Sequence, residues 1–287
     1  MFSFHWYGFF IGLGIVAALE VSEMAKKLLA IRDKPARPFR SEASRRGRLY
    51  ARFSVWKIFW WVMIPALLGA RLYHVIDFWT YYSRFPGKAV ALWEGGMGIW
   101  GGIIGGLVGL WIYSLIVGDR GLNKKFSIFN FQFSKRISNF LALADLAVVG
   151  LPLGQAIGRI GNFFNQELYG LPSNLPWGLY IRPENRLAGY ESFTHFHPLF
   201  AYEMIWDLLI FIIIIKIILK ADRTTFKIGN LFFIYLFLYG LGRFFLESLR
   251  IDPWRWGSLT VAQWLSLVAI TLASLYITKV WKINKHS

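Results

Sequence analysis

The chain contains no cysteine among its 287 residues. That absence excludes disulfides, thiolate metal sites and a cysteine nucleophile of its own. Acidic side chains are scarce as well, 16 against 32 lysines and arginines, which leaves a net charge of +16. No internal repeat is visible, which weakens a transporter built from inverted halves. No basic stretch precedes the first apolar run; its positive charges follow it instead. That run therefore reads as a retained helix, not a signal peptide. No His, Asp or Glu cluster has convincing metal-ligand spacing, so neither a metal nor a cofactor is expected.

What the chain does have is apolar length. It is 56% hydrophobic and 18% aromatic, with a mean hydropathy of +0.44. The apolar residues fall in runs of about 20, long enough to cross a bilayer as helices. These runs predict an all-α integral membrane protein with about seven transmembrane helices. They lie near 4–25, 56–79, 97–117, 139–162, 198–219, 229–249 and 258–280. Basic residues in the connecting segments alternate: 11 in 26–57, 2 in 80–96, 5 in 118–138, 2 in 163–197, 4 in 216–228, 2 in 250–257 and 3 in 279–287. By the positive-inside rule the N-terminus is outside and the C-terminus cytoplasmic. The whole of 1–287 reads as one transmembrane domain. It carries a basic cytoplasmic loop at 26–57 and a small outer-face arm at 163–197, where Pro172, Pro176, Trp177, Pro183 and Tyr190 mix polar and aromatic character.

A charge of +16 raises the question of nucleic acid. The distribution answers it, because the 26–57 loop alone holds 11 of the 32 basic residues and no aromatic-interleaved binding platform accompanies them. The expected partners of these loops are anionic membrane lipids, with no nucleic acid.

The polar residues inside apolar segments are the candidate site. Gly158-Arg159-Ile160-Gly161-Asn162-Phe163-Phe164-Asn165-Gln166-Glu167-Leu168-Tyr169-Gly170 closes the fourth segment. An arginine at that depth is expensive and normally marks a site with a partner nearby. In the sixth segment Tyr239, Arg243 and Glu247 recur every four residues, so they share one helical face, which Arg250 roughly continues. Two readings stay open there: Glu247 merely neutralises Arg243, or it orients Arg243 toward an anion. With Arg159 the second reading gives a two-arginine clamp, suited to phosphate by the planar guanidinium fork. His197-Pro198 with Tyr202 and Glu203 opens the fifth segment. His197 is either a proton carrier or a cap, and Glu203 needs a partner. Asp145 reads as a buried partner for an arginine, and Arg71 and Tyr73 as further candidates. Tyr7, after Trp6, suits the outer interface. The Gly95–Gly106 run contains a literal G-x-G-x-x-G, but it opens a membrane helix and no soluble sheet surrounds it, so a dinucleotide fold is rejected. Gly98, Gly102 and Gly106 form a small-residue stripe that either packs helices closely or lines a lipid pocket.

Together these motifs resemble the prolipoprotein diacylglyceryl transferase family, from Tyr7 to Ser266. Gly158–Gly170 is similar to the family's G-R-x-G-N-F-x-N-x-E-x-x-G. Trp6-Tyr7-Gly8, Gly95-Gly96-Met97 with Gly101-Gly102, and His197-Pro198 with Tyr202-Glu203 resemble its other motifs. Tyr239, Arg243, Glu247, Arg250 and Asp252 match its late Y-x-x-x-R-x-x-x-E-x-x-R-x-x-D. The resemblance implies transfer of a diacylglyceryl group from phosphatidylglycerol to the lipobox cysteine thiol of preprolipoproteins, with release of glycerol 1-phosphate. It implies a bacterial plasma membrane protein working at the outer leaflet. It assigns catalytic roles to Arg159, Arg243, Glu247 and Tyr239. It places Tyr7, Asn162, Asn165, Glu167, Gly170, Asp145, Arg250, Gly96, Trp100, His197, Tyr202 and Glu203 around the substrates. Many members have histidine or tyrosine where this chain has Trp100. Indole only donates and cannot take a thiol proton. Either the base lies elsewhere, or a thiol beside two arginines ionises unaided. The rival reading of the same residues is a transporter or flippase for an anionic solute or lipid.

Overall fold

Lipid offers no partner to backbone N–H and C=O groups, so a long apolar run satisfies them internally by forming a helix. The computed structural model describes residues 5–32, 47, 49–118, 133–220 and 227–285 and has this character throughout. Its long helices are α1 (Trp6–Arg32), α2 (Val55–Asp77), α3 (Ile99–Gly118), α4 (Phe133–Asn165), α5 (Leu199–Lys220), α6 (Asn230–Leu246) and α7 (Val261–Lys285). Among the described residues, six stretches are long and apolar enough to cross a membrane, one in each long helix except α5. Every 18-residue stretch of α5 contains Glu203, Asp207 and Lys216. The protein is thus an all-α, multi-pass membrane protein. Several helices outrun the apolar segments: α1 continues to Arg32 and α4 begins at Phe133. Helical hydrogen bonding continues into polar sequence on either side of the apolar run, so hydropathy alone draws these helices too short. Of the basic 26–57 segment, residues 33–46 and 48 lie outside the described residues.

The chain divides into two compact units, Met1–Ala25 with Val148–Ser287, and Lys26–Ala147. In the first, α1 crosses α4 with almost no side chain between them. A Cβ on Gly150 would strike the Ala18 carbonyl, and one on Gly14 the Gly154 carbonyl. The Gly150 N–H also donates to Ser22 Oγ at 3.0 Å. Between α4 and α5 the chain folds into a small segment. Its two-residue strands β1 (Leu179–Tyr180) and β2 (His195–Phe196) pair antiparallel, Leu179 opposite Phe196. Tyr169, Ile181 and Phe196 form its buried core, with Leu179, Tyr190 and Ile251 packed against them. A second ribbon, β3 (Arg255–Trp256) with β4 (Leu259–Thr260), leads into α7.

In the second unit α2 packs tightly along α3. The close approach is made by Gly101, Gly105 and Gly109, whose added Cβ atoms would strike the carbonyls of Gly69, Pro65 and Trp61. Gly102 and Gly106, two of the three stripe positions, have ordinary clearance. The stripe of glycines is real, but the tight face is the one a residue away. Pro65 explains the far end of that face. It has no N–H, so the Trp61 carbonyl loses its helical partner, and Gly109 leaves room beside it.

Candidate active site

Three helix ends of the first unit bring their charged residues together. Arg159 lies in the last two turns of α4, Glu203 in the second turn of α5 and Arg243 in the last turn of α6. Arg159 Nη2 is 2.5 Å from Glu203 Oε2, and Arg243 Nη1 is 3.2 Å from Glu203 Oε1. The other arm of the same guanidinium, Arg243 Nη2, is 2.6 Å from Glu247 Oε2, which lies 3.6 Å from Arg250 Nε. The result is a ladder of alternating charge: Arg159, Glu203, Arg243, Glu247, Arg250. Both carboxylates are buried, with Glu203 7% and Glu247 4% exposed. Charges so placed hold each other in place. Breaking such a pair by removing one partner costs about 3–5 kcal/mol, because the other charge is left buried. Three cations against two anions leave the ladder one positive charge in excess. Among the described residues, Arg159 Nε, Arg250 Nε and the Oε2 atoms of Glu203 and Glu247 are buried without a hydrogen bond, so the ladder is held by ion pairing.

The structure brings Arg159 and Arg243, the two arginines of the expected clamp, together on the carboxylate of Glu203, which finds its partners there. Glu247 sits in a 3-10 turn (Glu247–Leu249) that tightens the end of α6. Arg250 does not continue the helical face. Its backbone is already extended (φ −72°, ψ 141°), and it bridges to Gly170. Its side chain still returns to Glu247. Burial lowers its pKa from the ordinary arginine range, and neighbouring Arg243 adds to this.

A cavity opens beside the ladder, lined by Arg159, Glu203, Trp206, Asp207, Tyr239 and Arg243 among others, and enclosing about 270 Å³ with its open mouth included. Tyr239 stacks on Tyr235 (5.5 Å between ring centroids), and Tyr235 donates to Gln155 Oε1 at 3.1 Å, one turn before Arg159. Trp206 donates from Nε1 to the Leu238 carbonyl at 2.9 Å. Its indole fills the space a Cβ on Gly242 would need. Gln155, Trp206, Asp207 and Gly242 were not singled out in the sequence. Glu203 and Asp207 are four residues apart on an apolar helix, and that spacing was the available signal.

The motif after Arg159 closes α4 and ties it to the folded segment. Asn162 Nδ2 and Asn165 Nδ2 both donate to Glu167 Oε1, at 3.0 and 3.3 Å. Gln166 and Leu168 take positive φ, 52° and 56°. Gln166 is held there by its side chain, which accepts from Arg182 N–H and Asn185 Nδ2 at 3.0 and 3.1 Å. Gly170 lies between two chain segments. Its N–H donates to the His197 carbonyl at 2.8 Å, and a Cβ would strike the Leu249 carbonyl. Asn162, Asn165, Glu167 and Gly170 therefore shape the turn that holds the ladder's backbone. Nearby, the Tyr169 hydroxyl donates to the Asn185 carbonyl, and burial raises its pKa. Tyr202 accepts from Trp177 Nε1 at 2.8 Å and lies 3.3 Å from His197 Nδ1. Tyr7 packs over Gly161, where a Cβ would meet its ring.

Gly96, Trp100, Asp145 and Arg71 belong to the second unit. Gly96 takes φ +71° beneath His74, a position closed to other residues by both strain and space. Trp100 is half-buried in the first turn of α3. Asp145 is 0% exposed and accepts from the Tyr50 hydroxyl at 2.9 Å. Arg71, 5% exposed, spends its guanidinium on backbone carbonyls: Ala89 at 2.9 Å, Lys88 at 2.5 Å, Gly96 at 3.0 Å and Gly95. Four of its five donors are thereby used, so it pins the loop before α3.

The family model described as "Prolipoprotein diacylglyceryl transferase" matches residues 1–279. A protein of Trichormus variabilis named phosphatidylglycerol–prolipoprotein diacylglyceryl transferase is 36% identical over 284 residues, covering 96% of this chain and 87% of its own length. A protein of the same name from Fervidobacterium nodosum is 36% identical over 286 residues, 99% of this chain and 84% of its own. Another, from Gloeobacter violaceus, is 33% identical over 287 residues, 100% of this chain and 91% of its own. With nearly its whole length matched, the chain belongs to the prolipoprotein diacylglyceryl transferase family.

Proposed function

We propose that Arg159 and Arg243 serve this chain in the transfer of the diacylglyceryl group of phosphatidylglycerol to the lipobox cysteine thiol of a prolipoprotein. The chain is a transferase of lipoprotein biosynthesis, and its family supplies the reaction. The roles rest on one observation above others: two guanidiniums from different helices share one buried carboxylate beside a cavity. The thiolate comes from the protein substrate, which accounts for a chain without cysteine. It attacks the glyceryl carbon bearing the phosphate ester, and the C–O electron pair leaves with glycerol 1-phosphate. Negative charge grows on that oxygen. The ladder's excess positive charge favours an anion there. Glu203 and Glu247 orient the two arginines, Tyr239 walls the cavity, and its small volume suits a phosphate while leaving the acyl chains outside.

In this reading α5 is the seventh span. Its acids Glu203 and Asp207 are buried within the protein, so they do not meet lipid. The N-terminus is outside, the C-terminus cytoplasmic, and the 163–197 segment is the outer-face arm, in a bacterial plasma membrane. The C-terminal ends of α4 and α6 and the N-terminal end of α5 then face outward together, which directs the ladder toward the outer leaflet. The basic loops meet anionic lipid on the cytoplasmic side.

The test is direct. Purified protein with phosphatidylglycerol and a lipobox peptide should yield the peptide plus one diacylglyceryl group by mass spectrometry, and a Cys→Ser peptide should yield none. Lipid movement across vesicles without any adduct would replace the transferase by an anionic lipid carrier.

A further inference from the structure

The thiol proton has no obvious destination in this chain, since the position where many family members carry histidine or tyrosine is Trp100. The cavity itself narrows the choice. Its titratable lining groups are Arg159, Glu203, Asp207, Tyr239 and Arg243. The guanidiniums are already protonated, and Tyr239 is a phenol, protonated at neutral pH. Both oxygens of Glu203 are engaged by arginines. Asp207 differs from all of these. It is 3% exposed, stands one turn beyond Glu203 on α5, and lines the cavity. Among the described residues it makes no hydrogen bond or ion pair. An acid buried in a membrane helix and left unpaired is costly, and its retention in a reaction cavity calls for a use.

Resting on the transferase reading above, we propose that Asp207 is the general base that takes the lipobox thiol proton and returns it to the departing phosphate. The Asp207 carboxylate stands beside the ladder's three arginines and two glutamates, so moving the S–H proton onto it shifts a negative charge from the carboxylate to the attacking sulfur with no net change in the pocket. When Asp207 takes the S–H proton, one negative charge leaves the carboxylate. The thiolate then forms the S–C bond, the C–O bond breaks, and its electron pair goes to the phosphate oxygen. Asp207 gives its proton to that oxygen and is restored as carboxylate. The groups that face Asp207 electrostatically are Arg159 from α4, Glu203 from its own helix, and Tyr235 and Tyr239 from α6.

The experiment compares a cysteine lipobox peptide with its selenocysteine counterpart, whose selenol is ionised at neutral pH and needs no base. Wild-type protein must first form the cysteine adduct; failure there would overturn the transferase reading itself. Given that adduct, Asp207→Asn should slow transfer to the cysteine peptide about 100- to 10,000-fold, the usual contribution of a general base. Its transfer to the selenocysteine peptide should stay within about threefold of wild type, since the base is then bypassed. Loss on both peptides, with phosphatidylglycerol still raising the thermal midpoint, would make Asp207 a structural residue and overturn the proposal. Undiminished cysteine transfer by Asp207→Asn would overturn it equally, in favour of unaided thiol ionisation. Should Asp207→Asn not accumulate, Asp207→Glu takes its place. It should slow cysteine transfer at least about tenfold by displacing the carboxylate, and spare selenocysteine transfer. Equal effects on the two peptides would again overturn the proposal.

Discussion

Arg243 divides its two Nη groups between carboxylates from different elements, Glu203 of α5 and Glu247 beyond the end of α6. That division is a property of a planar fork and not of positive charge alone. Arg243→Lys should therefore fail to rescue what Arg243→Ala loses. Each of Arg159→Ala and Arg243→Ala should lower transfer by at least about 100- to 1000-fold, the effect of removing one charge-stabilising donor. Membrane insertion should persist, and wild-type-like adduct formation in both alanine variants would sink the mechanism. Trp100 stands where the resemblance to the family implies histidine or tyrosine. Trp100→His should remain active and change only the pH profile, measured as adduct formation across pH. Abolished activity would instead mark Trp100 as a packing residue. The two arginines were legible in the sequence because charge inside an apolar run is conspicuous. Asp207 was not, because it lies among charges already given a role, and only the fold shows it lining the cavity with no hydrogen bond or ion pair among the described residues.

At the scale of elements, the hold between α2 and α3 depends on backbone-to-backbone approach. Gly105→Leu would drive a side chain into the Pro65 carbonyl. Overpacking of this kind costs about 1–3 kcal/mol, so the thermal midpoint in detergent should fall. Gly102→Ala, at a position with ordinary clearance, should leave it nearly unchanged. Equal effects of the two substitutions would mean that the tight face has been misassigned. The presence of a glycine stripe could be read from sequence. Which of its faces is tight could not, because two adjacent faces carry glycine and the choice is made by Gly69, Pro65 and Trp61 on the partner helix. Arg71 teaches the same lesson. It reads as an anion ligand by its depth, yet its donors are consumed by carbonyls of the loop that precedes α3.

At the scale of the whole molecule, the absence of cysteine is an experimental advantage, since any introduced thiol is unique. In intact cells a membrane-impermeant maleimide should label Asn174→Cys in the 163–197 arm and spare Ser287→Cys until the membrane is opened. The reverse pattern would invert the topology and remove the ladder from the outer leaflet. The sequence by itself determined the all-α membrane architecture, since runs of about 20 apolar residues have one stable conformation in lipid. It determined the family too, because several polar motifs recur in order at fixed spacing. Only the tertiary structure decided which charges meet. Spacing along one helix places Glu247 under Arg243, but the meeting of Arg159, Glu203 and Arg243 depends on how three helix ends converge. Sequence distance carries no information about contacts between helices, and charge pairing in a low-dielectric interior is settled by a few ångströms.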